Sequence, residues 1–97
     1  MRVPEFILRA EPLDDAAASA AGFRSAGPEI GTRHRIGGEP TELSPIDYPR
    51  CGSCPELMTF YGQLDSIGDD YAIADAGVVH VFVCFDCFET EARISSD

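Results

Sequence analysis

Four cysteines arranged as two C-x-x-C pairs restrict the fold of this chain more than any other feature. Residues 55–83, 29 in number, separate the pairs and contain two apolar runs typical of β-strands. Paired C-x-x-C motifs in a reducing compartment are typical of metal ligands, because thiols there do not persist as disulfides. Four thiolates complete the tetrahedral shell that zinc prefers and leave no open position. The spacing predicts one structural zinc ion, held by Cys51, Cys54, Cys84 and Cys87.

Other uses of the cysteines remain open. A thioredoxin-like redox pair requires a C-x-x-C that opens a helix after a strand, whereas Cys51 follows a Pro-rich loop and precedes a strand. Two disulfides require an oxidising compartment, and four plain buried thiols are the remaining alternative. Zinc binding contributes about 10–16 kcal/mol. That is enough to decide whether a chain of 97 residues, with a correspondingly small core, folds at all.

The hydrophobic pattern predicts a mainly β, small α+β fold. In the run at 57–64, Met58, Phe60 and Leu64 share one face, and Gly62 interrupts that face and suggests a bulge or a close approach of another backbone segment. The run at 78–84 is apolar on both faces, which predicts a central strand covered on both sides. Weaker patterns predict strands at 6–8, 71–74 and 88–94 and a helix at 13–21, ended by Gly22.

These elements suggest one domain, residues 1–97. An N-terminal strand, helix and loop at 1–32 precede a core at 33–90. We expect an antiparallel sheet with a short N-terminal helix and the four-cysteine zinc site at one end of the sheet.

The net charge of −10 is uneven along the chain. Residues 1–50 carry six Arg against eight acids, whereas residues 51–97 carry one Arg against nine. Such a chain is not expected to bind nucleic acid or an anionic membrane, so a basic protein is the natural partner. Plain solubility is an equally weighted interpretation of the charge. The acids that we predict as partner contacts are Glu56, Asp65, Asp69, Asp70 and Asp75.

Location and catalysis are constrained mainly by missing motifs. The sequence has no run of 18 or more apolar residues and no apolar signal-peptide segment after Met1, which predicts a cytoplasmic protein. It has no G-x-S-x-G, P-loop or dinucleotide fingerprint, and its acidic residues miss the EF-hand spacing. We therefore expect a protein that is not an enzyme.

Four blocks in a fixed order carry a resemblance to known proteins. They are HRIGGEP at 34–40, C-x-x-C at 51–54, MTFYGQLD at 58–65 and DAGVVHVFVC-x-x-C at 75–87. The chain resembles the bacterial YwqG-like family and is similar to the eukaryotic family of programmed cell death protein 2, over about residues 33–90. The resemblance implies a β-rich fold without known catalysis. It also implies a protein partner: a toxin for an immunity protein, or a ribosomal-type protein for a chaperone.

The resemblance also bears on residues outside the cysteine pairs. Family members often carry two related halves and this chain matches one, which implies a half standing alone or a homodimer. Gly37 and Gly38 allow a tight reversal, and Pro40 fixes its exit. Gln63 matches a polar position of the family, and we expect it to satisfy backbone groups near Gly37-Gly38.

The leading hypothesis is a non-enzymatic, zinc-stabilised protein-binding module that masks or escorts a basic partner. The alternatives are a thiol redox or metal-dependent enzyme and a structural subunit that assembles with itself.

Overall fold

A five-stranded antiparallel sheet is the main element of the computed structural model, which describes residues 2–41, 43 and 47–95. The strands lie side by side in chain order, and a short helix, α1 (Asp15–Ala20), separates the first two in sequence. The strands are β1 (Phe6–Ile7), β2 (Arg35–Ile36), β3 (Thr59–Asp65), β4 (Val78–Val83) and β5 (Thr90–Ser95). The mainly β, antiparallel fold with one short N-terminal helix is confirmed.

Helix α1 is held by its ends, because none of its residues is buried. The Asp14 carboxylate accepts a hydrogen bond from the Ala17 amide at 2.9 Å, which caps the first turn. After the helix, Gly22 has φ of +92° and donates its amide to the Ile67 carbonyl at 2.8 Å. In the part of the chain that the structure describes, no helix has the length and apolarity needed to cross a bilayer.

A β-bulge at Tyr61 changes which face of β3 is buried. Phe60 pairs with Phe82 and Gly62 pairs with Val81, so Tyr61 is an extra residue without an opposing partner on β4. The predicted bulge is therefore present, but its consequence for the faces differs from the prediction. Leu64, expected on the same face as Phe60, is 54% exposed, whereas Gln63 and Asp65 are buried.

Strand β4 is central, because it pairs with β3 on one side and β5 on the other. One of its two faces is buried. Val78, His80 and Phe82 are buried, whereas the alternate residues Val79, Val81 and Val83 are only half-buried. The expectation that both faces are covered is therefore wrong for this chain. The valines on the outer face favour the β conformation because they are β-branched, although they are not fully buried.

The connection between β3 and β4 is folded as a loop. The strand predicted at 71–74 is wrong: Asp69–Tyr71 form a turn of 3₁₀ helix, and a turn at residues 74–76 follows. Ser66 holds this loop together. Its hydroxyl donates to the Gly77 carbonyl at 2.7 Å and accepts from the Ile73 amide at 2.8 Å.

The hydrophobic core lies on the inner face of β3 and β4 and continues into the cysteine turns. Met58, Phe60 and Phe82 pack with the buried thiols of Cys51 and Cys84. The Phe60 and Phe82 rings lie edge to face with centroids 5.7 Å apart, and Tyr48 packs on Phe82 at 5.2 Å. The core thus ends where the candidate metal centre begins.

Candidate metal centre

All four cysteines meet at one end of the sheet. Cys51 and Cys54 lie in the turn before β3, and Cys84 and Cys87 lie in the turn after β4. Because β3 and β4 are antiparallel, the start of one adjoins the end of the other. The four Sγ atoms lie within 4.8 Å of one another, an arrangement that could hold a metal ion. The clustering predicted from the spacing is confirmed.

The two cysteine turns are closed by the same hydrogen bond. The Cys51 amide donates to the Glu56 carbonyl at 3.0 Å, and the Cys84 amide donates to the Glu89 carbonyl at 2.9 Å. In each turn the first cysteine is thus bonded to the residue five positions later. This closure brings both sulfurs of a C-x-x-C pair to one side of the turn, as chelation requires.

The distances between sulfurs are close to those of a tetrahedral zinc shell. Sulfurs that lie 2.3 Å from a zinc ion are separated by about 3.8 Å. Cys54 and Cys84 are 3.6 Å apart, and Cys84 and Cys87 are 3.5 Å apart. The Cys51–Cys87 pair, at 2.9 Å, must open by just under an ångström. All four are free thiols, so the donor set fits a tetrathiolate metal site.

As free thiols, Cys84 and Cys87 titrate very differently. The backbone amides of Cys87 and Asp86 donate to the Cys84 sulfur and lower the pKa of that thiol to about 7. The hydrogen bond with the Cys51 thiol is the main reason that the pKa of Cys87 rises to about 12. Amide donors favour a thiolate in the same way beside a bound metal.

Glu89 is a neighbour of the cysteines that the sequence interpretation missed. Its carboxylate accepts from the Cys51 thiol at 3.4 Å and from the Cys87 thiol at 3.8 Å. Hydrogen bonds from the Ser53 hydroxyl, and then from the Cys51 thiol, hold the pKa of Glu89 below its usual value. Its position two residues after Cys87 is the only signal that could have indicated it. The carboxylate adds negative charge beside the thiols.

One half of the cysteine cluster faces the core and the other half faces solvent. Cys51 and Cys84 are buried, Cys54 is half-buried and Cys87 is exposed. A metal ion at this position would therefore tie the end of the core to two surface turns. Neither histidine belongs to the group of potential ligands found among the described residues.

The acids predicted as partner contacts lie at two different ends of the sheet. Glu56 is exposed beside the cysteines, whereas Asp69, Asp70 and Asp75 lie in the loop between β3 and β4. A strand of six residues separates these ends by about 20 Å. Asp69 also pairs with Arg24 at 3.4 Å, so its charge is partly matched within the chain.

Asp65 is wrong as a partner contact. Its side chain is completely buried and forms an ion pair with Arg33 at 2.8 Å. The backbone amides of Gly31 and Arg33 also donate to this carboxylate, at 2.8 and 2.9 Å. The Tyr61 bulge turns Asp65 inward, and the residue anchors the loop before β2.

The residues predicted to be structural lie around the reversal after β2. Gly37 and Gly38 have φ of +71° and +69° and are buried, and Pro40 follows them, half-buried. Gln63 is 1% exposed; its amide donates to the Arg33 carbonyl at 2.7 Å and accepts from the Thr41 amide at 3.0 Å. Gln63 thus binds backbone groups that flank the two glycines, rather than the glycines themselves.

Comparison of the chain with protein-family models, curated proteins and solved structures finds no match. The relationship to the YwqG-like family therefore stays a prediction from the four sequence blocks.

Proposed function

We propose that this chain is a zinc-stabilised, non-enzymatic protein-binding module whose partner is basic. In this proposal the four thiolates hold one zinc ion with no open coordination position, so the ion is structural. The ion would hold the two cysteine turns in the shape in which they meet the partner. The near-tetrahedral sulfur spacing and the amide donors to Cys84 support zinc as the metal.

The observation that carries the proposal is the backbone and exposure of Phe88. This residue has φ of +61°, a conformation that is costly for a bulky side chain, and it is 72% exposed. The strain is local, because the Phe88 amide donates to the Cys84 carbonyl at 2.7 Å and closes the turn. The backbone conformation of Phe88 is thus costly, and burial of the side chain does not offset that cost. Such features are typical of binding sites.

Acidic and apolar side chains lie at the same end of the sheet as Phe88. We define the metal-end patch as Glu56, Leu57, Asp86, Phe88 and Glu89, of which Leu57 is 47% exposed. A zinc ion with four thiolates adds a net charge of about −2 to this patch. Arg50 also lies at this end and donates to the Pro55 carbonyl. The combination of an apolar ring with surrounding negative charge fits a basic segment that carries apolar side chains.

The resemblance to the YwqG-like and programmed cell death protein 2 families adds the kind of partner. A toxin would make the chain an immunity protein, and a ribosomal-type protein would make it a chaperone. Both partners share the basic, protein-type chemistry that the metal-end patch requires.

A basic peptide tests the proposal directly. The probe is a fluorescent peptide of alternating Arg and Leu, and binding to the zinc-loaded chain is followed by anisotropy. We expect binding that weakens strongly between about 50 and 500 mM salt, because exposed charges are screened over this range. The same peptide with Gln in place of Arg should not bind.

Matched variants locate the binding face. Glu56→Gln with Asp86→Asn changes the net charge from −10 to −8, and so does Asp70→Asn with Asp75→Asn at the far end. The first pair and Phe88→Gly should each weaken binding by about tenfold, a typical loss for contact residues. The second pair should leave binding unchanged. Equal losses from both pairs, or no binding by the unmodified chain, would overturn the proposal.

A further inference from the structure

We propose that the free edge of β5 pairs with β5 of a second copy of this chain. This inference concerns a surface other than the metal-end patch and does not depend on the proposed function. Among the residues that the structure describes, β5 is the last strand of the sheet and pairs only with β4. The opposite edge, β1, has two residues, whereas β5 has six, Thr90–Ser95, with no proline or bulge. A long, regular edge strand is a ready template for another strand.

The ladder between β4 and β5 identifies the groups that face the free edge. The Cys84 amide donates to the Glu89 carbonyl, so these two residues form a hydrogen-bonded pair. In an antiparallel ladder such pairs recur at every second residue. Glu91, Arg93 and Ser95 therefore direct their amides and carbonyls towards β4. Thr90, Ala92 and Ile94 direct theirs outward.

The side chains of β5 select one register for a second copy. If the two strands run antiparallel about a two-fold axis at Ala92, Ala92 faces its own copy and Thr90 faces Ile94 of the second copy. Glu91 then lies opposite Arg93 of the second copy, and the same contact forms again across the axis. This register also pairs the outward-directed backbone groups that the ladder leaves available, so hydrogen bonds and charges are satisfied together.

Neighbouring registers are disfavoured by charge. Moving the axis to Glu91 places two glutamates opposite each other, and moving it to Arg93 does the same with two arginines. The axis at Ala92 also puts the smallest side chain of the strand at the crossing point. In one chain, Arg93 Nε already bonds to the Glu91 carboxylate, so the two side chains share a face. The strand is thus neutral although the whole chain carries −10.

Charge exchange between the two positions tests this register. Sedimentation velocity of the full, zinc-loaded chain should show a dimer whose share grows with concentration. Glu91→Arg alone and Arg93→Glu alone should each weaken association by about tenfold, because both contacts become like-charged. An equimolar mixture of the two single variants should associate as well as the unmodified chain, since two arginines on one strand then face two glutamates on the other. The double variant E91R/R93E should also associate.

The mixture separates contacts between chains from contacts within one chain. Both single variants lose the ion pair between positions 91 and 93 of the same chain, and mixing cannot restore it. Recovery in the mixture therefore supports pairing across the axis. A monomer at every concentration, unaltered association of the single variants, or a mixture that associates no better than its components would overturn the proposal.

A backbone variant gives an independent check. The Ala92 amide faces outward, so Ala92→Pro removes an edge donor and leaves the bonds to β4 in place. We expect this variant to keep the monomer's circular dichroism spectrum and to lose association. Association equal to that of the unmodified chain would contradict edge pairing.

Discussion

Arg33 and Asp65 form a two-point ion pair, with Nη2–Oδ1 at 2.8 Å and Nε–Oδ2 at 2.9 Å. The guanidinium also donates to the Ala76 carbonyl at 2.7 Å, so one side chain joins the segment before β2 to the loop before β4. Burial alone would raise the pKa of Asp65, but the hydrogen bonds from Arg33 and Gly31 outweigh it and lower the pKa. The carboxylate is therefore charged and fully satisfied in the folded chain.

Asp65→Asn should lower the free energy of unfolding by about 3–5 kcal/mol, because it leaves the Arg33 charge without its buried partner. Chemical denaturation of the zinc-loaded chain at neutral pH measures the change. Asp70→Asn, at an exposed site, is the matched control and should change stability by less than about 0.5 kcal/mol. Equal effects of the two variants would contradict the role assigned to the ion pair.

The pH dependence of the same contact follows from the sign of the shift. A carboxyl with a lowered folded pKa contributes stability above its unfolded pKa of about 3.9, and that contribution is lost as the pH falls through the folded value. Asp65→Asn should therefore have a flatter stability profile than the unmodified chain below about pH 4.

The position of Asp65 shows where sequence reasoning reached its limit. Strict alternation from Phe60 places Leu64 inward and Asp65 outward, and the acids from Asp65 to Asp75 then resemble one solvated loop. The bulge at Tyr61 reverses this phase. Gly62 suggested the bulge, but a sequence pattern does not state which residue is left unpaired.

The cysteine cluster was predictable because it follows from two short motifs and the strands beside them. Two C-x-x-C turns at the adjoining ends of neighbouring antiparallel strands must meet, once the strands are recognised. The Glu89 contact and the strain at Phe88 were not predictable, because both depend on the exact path of the second turn. The apolar run at 78–84 likewise predicted a central strand but not its half-exposed outer face.

Gly37 is expected to be the least replaceable glycine. A Cβ added there would lie 2.0 Å from the Pro4 carbonyl oxygen, in a backbone with φ of +71°. At Gly22, where φ is +92°, an added Cβ would meet no atom of the described residues within 4 Å, so Gly22→Ala measures the conformational cost alone, about 1 kcal/mol. Gly37→Ala should cost at least about 2 kcal/mol more, because backbone must move. Thermal unfolding of both variants gives the comparison, and similar costs would contradict the close approach.

His80 should remain neutral at pH values where an ordinary histidine is protonated. It is fully buried, and burial, followed by the nearby Arg35 charge, lowers its pKa below 6.5 despite the hydrogen bond with the Thr41 carbonyl. Because protons then bind the unfolded chain more readily, the stability contributed by His80 falls as the pH drops below about 6.5. An NMR titration of the imidazole should give a midpoint below this value. A midpoint at or above it would contradict the assignment.

Phe88→Gly should stabilise the fold while weakening the proposed binding. Glycine adopts a φ of +61° without the cost of a side chain, and the phenylalanine that it replaces is 72% exposed. We expect a gain of about 1 kcal/mol in the free energy of unfolding, measured by denaturation. A loss of stability would show that the ring packs on the chain rather than serving as a contact.

The central claim is that one zinc ion joins the two cysteine turns, and native mass spectrometry of the purified full chain tests it most directly. The expected species is the chain with one zinc ion and four thiols protected from alkylation. A chelator that removes the ion should also unfold the chain, since about 10–16 kcal/mol of binding energy is lost. A metal-free, folded chain with reactive thiols, or one whose mass shows two disulfides, would contradict the account.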